Sequence, residues 1–181
     1  MTPAGAPIPR IVQPDTRTCG PSAILAAAIA LRGEPSVGRS QAVHVLHRRL
    51  ASARRSDGGW RLPWPRALGT SPWAAAHELG AVSGETYAWR LVRHRRLDRE
   101  FAKLAASTQP ALLYVGSAVL PRHVVLIAEV NEDALRILDP ASGRIVARDR
   151  SAFVDRRLRL SGWDVPWLVV SRRGDESHEA P

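Results

Sequence analysis

The sequence predicts a single α+β domain, in which an N-terminal helix of small residues packs on an antiparallel sheet supplied by the C-terminal half. Three observations carry this. Helical spacing of apolar residues dominates up to about residue 107, whereas after Pro110 short apolar runs alternate with turn signals. The chain has 181 residues, 45% of them hydrophobic, which suffices for one ordinary core. No internal repeat or linker divides it. The expected organisation is a loose arm over residues 1–9, one domain over 10–174, and a frayed polar tail over 175–181.

The first helix opens at Cys19-Gly20-Pro21-Ser22 and runs to about Arg32. Thr18 or Cys19 stands near its cap, and Pro21 suits the first turn, where a missing N–H costs nothing. Ala23, Ile24, Ala27, Ala28 and Leu31 form its apolar stripe, and Gly33 stops it. A second helix fits residues 40–52, with Val43, Leu46 and Leu50 on one face. Residues 56–64 read as a loop turning on Asp57-Gly58-Gly59. A third helix fits 72–79, capped by Thr70 or Ser71 and ended by Gly80. A strand at 89–92 precedes a helix at 97–107, on which Leu97, Phe101 and Leu104 align. Strands then follow at 111–115, 123–130, 135–138 and 144–147, with turns at Asn131-Glu132-Asp133 and Ser142-Gly143. A short helix at 151–158 and a closing strand at 167–170 complete the chain. Helices first and antiparallel strands second mark a segregated α+β fold.

Composition excludes several classes of function. The net charge is +9, and every basic residue except Lys103 is arginine. These arginines are scattered over Arg48, Arg49, Arg54 and Arg55, then Arg93, Arg95 and Arg96, then Arg156, Arg157 and Arg159. No stripe of alternating basic and aromatic residues emerges, so they read as solvated surface, and nucleic acid is not the expected partner. The lone Cys19 excludes an internal disulfide and a Cys/His zinc framework. His44 and His47 lie three apart on a helix but lack a third ligand, so no metal and no cofactor is expected. No apolar signal-peptide core appears in the first 20 residues, and the apolar run at 23–31 is too short to span a bilayer. A cytoplasmic protein without a membrane partner is the expectation, with export by a signal-less secretion system as the alternative.

Chemistry concentrates at four residues. Cys19 stands at a helix N-terminus, where the positive end of the helix dipole favours a thiolate. His123 heads the apolar run Val124-Val125-Leu126-Ile127, so its imidazole sits at the end of a sheet, where a cleft forms. Asp139 ends the next strand of a hairpin, within reach of that imidazole, where it can fix the ring tautomer. Singly, these would be an inert core cysteine, a satisfied histidine and a turn-initiating aspartate before Pro140. All three at these positions and in this order are much less expected by chance, and the order suits the members of a nucleophilic triad. Gln13, six residues before Cys19, can aim an amide at the space beside the sulfur and complete an oxyanion hole with the Cys19 N–H.

The segments Gln13-Pro14-Asp15-Thr16-Arg17-Thr18-Cys19-Gly20-Pro21-Ser22, His123-Val124-Val125-Leu126-Ile127 and Ile137-Leu138-Asp139-Pro140-Ala141-Ser142-Gly143 together resemble the C39-like branch of the papain-like cysteine peptidases. The resemblance covers about residues 13–31 and 111–147. It implies a papain-like fold with Cys19 as nucleophile, His123 as general base and then acid, Asp139 as the group orienting His123, and Gln13 as oxyanion donor. Arg122 stands where the family commonly places glycine before the histidine, and an arginine close to the ring would disfavour its protonation. The implied reaction is cleavage of a peptide or protein amide through a Cys19 thioester. Relatives on the same scaffold deamidate glutamine or transfer acyl groups, which gives a second reading of the same triad. A third reading is a non-catalytic basic module that binds nucleic acid or an acidic protein. Trp60, Trp64 and Trp73 crowd a loop-rich stretch and are expected to form one wall of the substrate cleft.

Overall fold

The computed structural model describes residues 8–53, 58–60, 62, 64 and 69–176. Most of the expected arm (1–7), part of the loop at 56–64 and the end of the tail (177–181) lie outside the described residues. Ile8 packs against the core, and a 3-10 turn at Arg173–Glu176 follows the last strand.

Helix α1 (Cys19–Arg32) is buried continuously from Cys19 to Ala27, because its alanines let neighbours approach closely. It packs on α2 (Arg39–Ala51), α3 (Pro72–Ser83) and one face of the sheet. Strand β1 (Tyr87–Leu91) follows, then a 3-10 turn at His94–Arg96 and α4 (Leu97–Ala105). The remaining elements are β2 (Ala111–Gly116), β3 (Pro121–Val130), β4 (Ala134–Asp139), β5 (Arg144–Asp149), the short α5 (Arg150–Val154) and β6 (Val165–Arg172). The six strands pair antiparallel throughout, in the order β1-β6-β2-β3-β4-β5.

The sheet is covered on both faces, which explains why its central strands read as continuous apolar runs. Leu112, Tyr114, Val124, Leu126 and Leu138 join the core that holds α1 and α3. Leu113, Val115, Val125, Ile127 and Ile137 join a second core with Phe101 of α4 and Phe153 of α5. Alternation along each strand divides residues between the two cores.

Three expected boundaries move for physical reasons. Gly80 does not end α3, which continues to Ser83 and stops at Gly84 with φ 79°. A Cβ at Gly80 would lie 2.9 Å from the Glu85 carbonyl oxygen, so this glycine serves close approach of the chain beyond the helix. The helix expected at 151–158 ends at Val154, because Leu158 and Leu160 are drawn into the second core through a tight hairpin bridging Leu160 and Trp163. Strand β6 is longer than its apolar run because it pairs with both β1 and β2.

Register decides whether a site can form. Near their turn β3 and β4 pair Glu129 with Arg136 and Val130 with Leu135, but further along they pair Ile127 with Ile137 and Leu126 with Leu138. The irregularity at Ala128 shifts the pairing by one residue. Continued from the shifted register, position 141 falls opposite His123, and Asp139 becomes its diagonal neighbour on the same face, within reach of a long side chain. Without the bulge Asp139 would share a face with Val124 and Leu126 instead.

A second close approach fixes α1. A Cβ at Gly20 would fall 2.2 Å from Thr70 Oγ1 and 2.6 Å from Thr70 Cβ, just ahead of α3. Gly20→Ala should therefore destabilise the fold by about 1–3 kcal/mol, read as a lower midpoint in urea unfolding with an unchanged slope.

Candidate active site

Thr18 occupies the N-cap position of α1 without capping it. Its hydroxyl turns back to the preceding loop, donating to the Asp15 carbonyl at 3.1 Å and accepting the Asp15 N–H at 3.2 Å. The first turn of a helix has no internal acceptors for its N–H groups, and Pro21 has no N–H to offer. The N–H groups of Cys19 and Gly20 are thus the helix-terminal donors beside the sulfur. Cys19 itself is a free thiol, 5% exposed.

His123 Nε2 lies 2.7 Å from Asp139 Oδ1, and both residues are buried. That pairing leaves Nδ1 as the ring nitrogen for Cys19. Burial alone would push the imidazole down. Its hydrogen bonds to Asp139 and Cys19, and the charges of both, outweigh burial and raise it to about 9. Burial likewise opposes ionisation of Asp139, yet hydrogen bonds from His123 and Ser161, the charge of His123 and the Ala141 N–H hold its carboxyl below the usual carboxylate range. Arg122 is exposed and is not among the groups that act on His123, so the expected penalty from its charge does not arise.

The turn after β4 explains the spacing between Asp139 and Gly143. The N–H groups of Ser142 and Gly143 both return to the Asp139 carbonyl, at 3.2 and 2.8 Å. Gly143 adopts φ 65°, and a Cβ there would lie 2.5 Å from Val12 Cγ2. The segment ahead of α1 is thereby laid along the turn, and the Gln13 N–H donates to the Pro140 carbonyl at 2.8 Å. Gln13 is half-buried, and its Oε1, an acceptor, is buried without a hydrogen-bond partner among the described residues, a costly state for a polar atom.

Two further residues reach this site that the sequence reading did not single out. The Ser161 hydroxyl donates to Asp139 Oδ2 at 2.6 Å. Ser161-Gly162 is a turn signal in the sequence, but nothing there connects that turn to Asp139. Tyr114 on β2 is buried, its hydroxyl has no hydrogen-bond partner among the described residues, and burial together with nearby Cys19 holds its phenol well above the usual 10.

A cavity of about 580 Å³ is bordered by Arg17, Thr70, Leu50, Leu62, His47 and Trp64, among others. Arg17 precedes Cys19 by two residues and Thr70 touches Gly20, so the cavity adjoins the start of α1. Trp64 lines it, Trp73 packs edge-on behind Trp64 at 5.0 Å between ring centres, and Trp60 is 73% exposed outside the lining. Among the described residues no group of three His, Cys, Asp or Glu side chains could hold a metal ion, and no helix is long and apolar enough to cross a membrane. Several arginines are ion-paired on the surface, Arg136 with Glu129 at 2.7 Å, Arg150 with Asp98 at 2.9 Å, and Arg39 with Glu34.

The raised imidazole predicts how stability depends on pH. A group bound more tightly to its proton when folded contributes fully below its unfolded value and loses that contribution as pH rises through the folded one. For His123 the loss falls between about 6.5 and about 9. Urea unfolding of the wild type and His123→Gln at pH 6 and pH 9.5 should show a stability gap that shrinks by about 1–3 kcal/mol. For Asp139, lowered when folded, the contribution is present above 3.8 and disappears as pH falls below it.

No family model and no curated protein matches the chain in sequence. Solved structures do match in shape. The peptidase domain of Streptococcus ComA, a bi-functional ABC transporter involved in a quorum-sensing pathway, superposes with a TM-score of 0.51 at 19% identity, covering 89% of this chain and 94% of that one. A Bacillus anthracis protein described as a C39-like peptidase gives a TM-score of 0.51 at 10% identity, covering 95% and 97%. An α+β chain with Cys19 opening a buried helix, His123 and Asp139 on adjacent strands, and these neighbours in shape has the papain-like fold of C39-type peptidase domains.

Proposed function

We propose that the protein is a cysteine peptidase-like hydrolase that cleaves a peptide or protein amide bond through a thioester on Cys19. One observation carries the reading. The imidazole of His123 is held by Asp139 at 2.7 Å through one ring nitrogen, and Cys19, at the N-terminus of a buried helix, is near enough to be among the groups that raise the ring's affinity for its proton.

In this mechanism His123 takes the thiol proton, giving a thiolate beside an imidazolium for the attack. The sulfur attacks the amide carbon. The oxygen that gains charge meets the Cys19 N–H and the Gln13 side-chain amide, whose nitrogen donates. His123 then protonates the departing amine nitrogen, and water enters, activated by the same ring, to release the acid and restore the thiol. Asp139 keeps Nε2 occupied, so the nitrogen that works is always Nδ1. Trp64 and the cavity it lines would hold the substrate chain next to Cys19.

The first experiment compares alkylation of Cys19 by iodoacetamide at pH 6 in the wild type and in His123→Ala. An unassisted thiol reacts slowly at that pH. Labelling at least about tenfold faster in the wild type supports the ion pair; equal, slow labelling of both removes the reading. Gln13→Ala should leave that labelling rate within about twofold while lowering turnover of a cleavable peptide by about 100-fold, the cost of one oxyanion donor. Trp64→Ala should raise KM with little change in kcat; an unchanged KM would remove Trp64 from the substrate wall.

A further inference from the structure

We propose that Ser161 is a positioning residue of this site, its hydroxyl locking the Asp139 carboxylate in the orientation that His123 requires. The inference rests on the peptidase reading and adds a group to it that arrives from the opposite layer of the molecule.

The buried carboxylate has a donor for each oxygen. Oδ1 accepts from His123 Nε2 at 2.7 Å and from the Ala141 N–H at 3.0 Å. Oδ2 accepts from the Ser161 hydroxyl at 2.6 Å. A half-turn of the carboxylate would exchange its oxygens, and the hydroxyl makes the two positions different. It also compensates part of the desolvation that the buried charge suffers.

Ser161 is itself held in place. Its φ of 47° lies in the left-handed region, uncommon for a residue other than glycine, and Gly162 follows at φ 86°. Leu160 and Trp163 exchange backbone hydrogen bonds at 2.9 Å across this turn, and the Arg159 N–H donates to Asp164 Oδ1 at 3.0 Å. Leu160 is anchored in the second core. Arg156 (φ 59°) and Arg159 (φ 50°) share this left-handed form, so it belongs to the whole hairpin segment, and it is the hydroxyl contact with Asp139 that carries the inference.

The charged groups around Asp139 are few. His123 on β3 is its ion partner, with Cys19 on α1 beyond that ring. Arg144, its register partner on β5, is exposed, as are Arg159 and Asp164 in the hairpin, and none of these three is among the groups that act on the carboxylate.

The test uses the full chain with Ser161→Ala and Ser161→Gly. The glycine variant removes the hydroxyl while relaxing the left-handed backbone, so it should melt no lower than Ser161→Ala and keeps the test readable if the alanine variant is unstable. Two readouts apply. One is the pH titration of the Asp139 carboxyl carbon by NMR; the other is the pH profile of Cys19 alkylation by iodoacetamide. Loss of one hydroxyl donor should raise the Asp139 midpoint by about one pH unit in both variants and move the acid limb of the alkylation profile upward with it. Titrations that superimpose on the wild type would overturn the proposal. If the wild type labels slowly and independently of His123, the peptidase reading fails, yet the Asp139 titration still decides what Ser161 does.

Discussion

The turn from Asp139 to Gly143 is the constraint on which the rest of the site depends. It gathers two N–H groups onto the Asp139 carbonyl, and it presents the Pro140 carbonyl to the Gln13 N–H. Its Gly143, with φ 65°, also lets the side chain of Val12 lie close against the turn. The strand bearing Asp139 and the segment leading into α1 are thereby a single unit. Movement of either would displace both Asp139 and Gln13. The proposed chemistry thus rests on backbone hydrogen bonds between segments more than 120 residues apart in sequence, rather than on any one side chain.

The bulge at Ala128 is the second such constraint. A sheet covered on both faces has a strong preference for register, since each strand must deliver its apolar residues to two cores at once. Both cores accept one change of phase along β3, and that change, continued to the ends of the strands, agrees with the hydrogen bond between His123 and Asp139.

How much of this could be read from the amino-acid order follows from which forces are local. Helix α1 is legible because Pro21, the alanine stripe and Gly33 are local signals, and its observed bounds agree with them. The strands after Pro110 are legible as apolar runs, and the order of Cys19, His123 and Asp139 pointed to a shared site. Gly80 misled, because a glycine that permits close approach looks the same in sequence as one that ends a helix. The bulge, the tie between Gln13 and Pro140, and the hydroxyl of Ser161 are tertiary facts with no local signature. Trp60, Trp64 and Trp73 formed a cluster in sequence, but only Trp64 lines the cavity, because Trp73 is occupied by ring packing and by a hydrogen bond to the Leu62 carbonyl at 3.1 Å.

The position of β6 has a consequence for the life of the chain. This last strand lies inside the sheet, between β1 and β2, rather than at its edge. The sheet therefore closes through a long-range pairing: β1 and β2 are joined only when residues 165–172 come between them, and the strands that carry His123 and Asp139 hang on the far side of β2. Such non-local pairing is slow to form, so the closure of the sheet is expected to be a late event in folding.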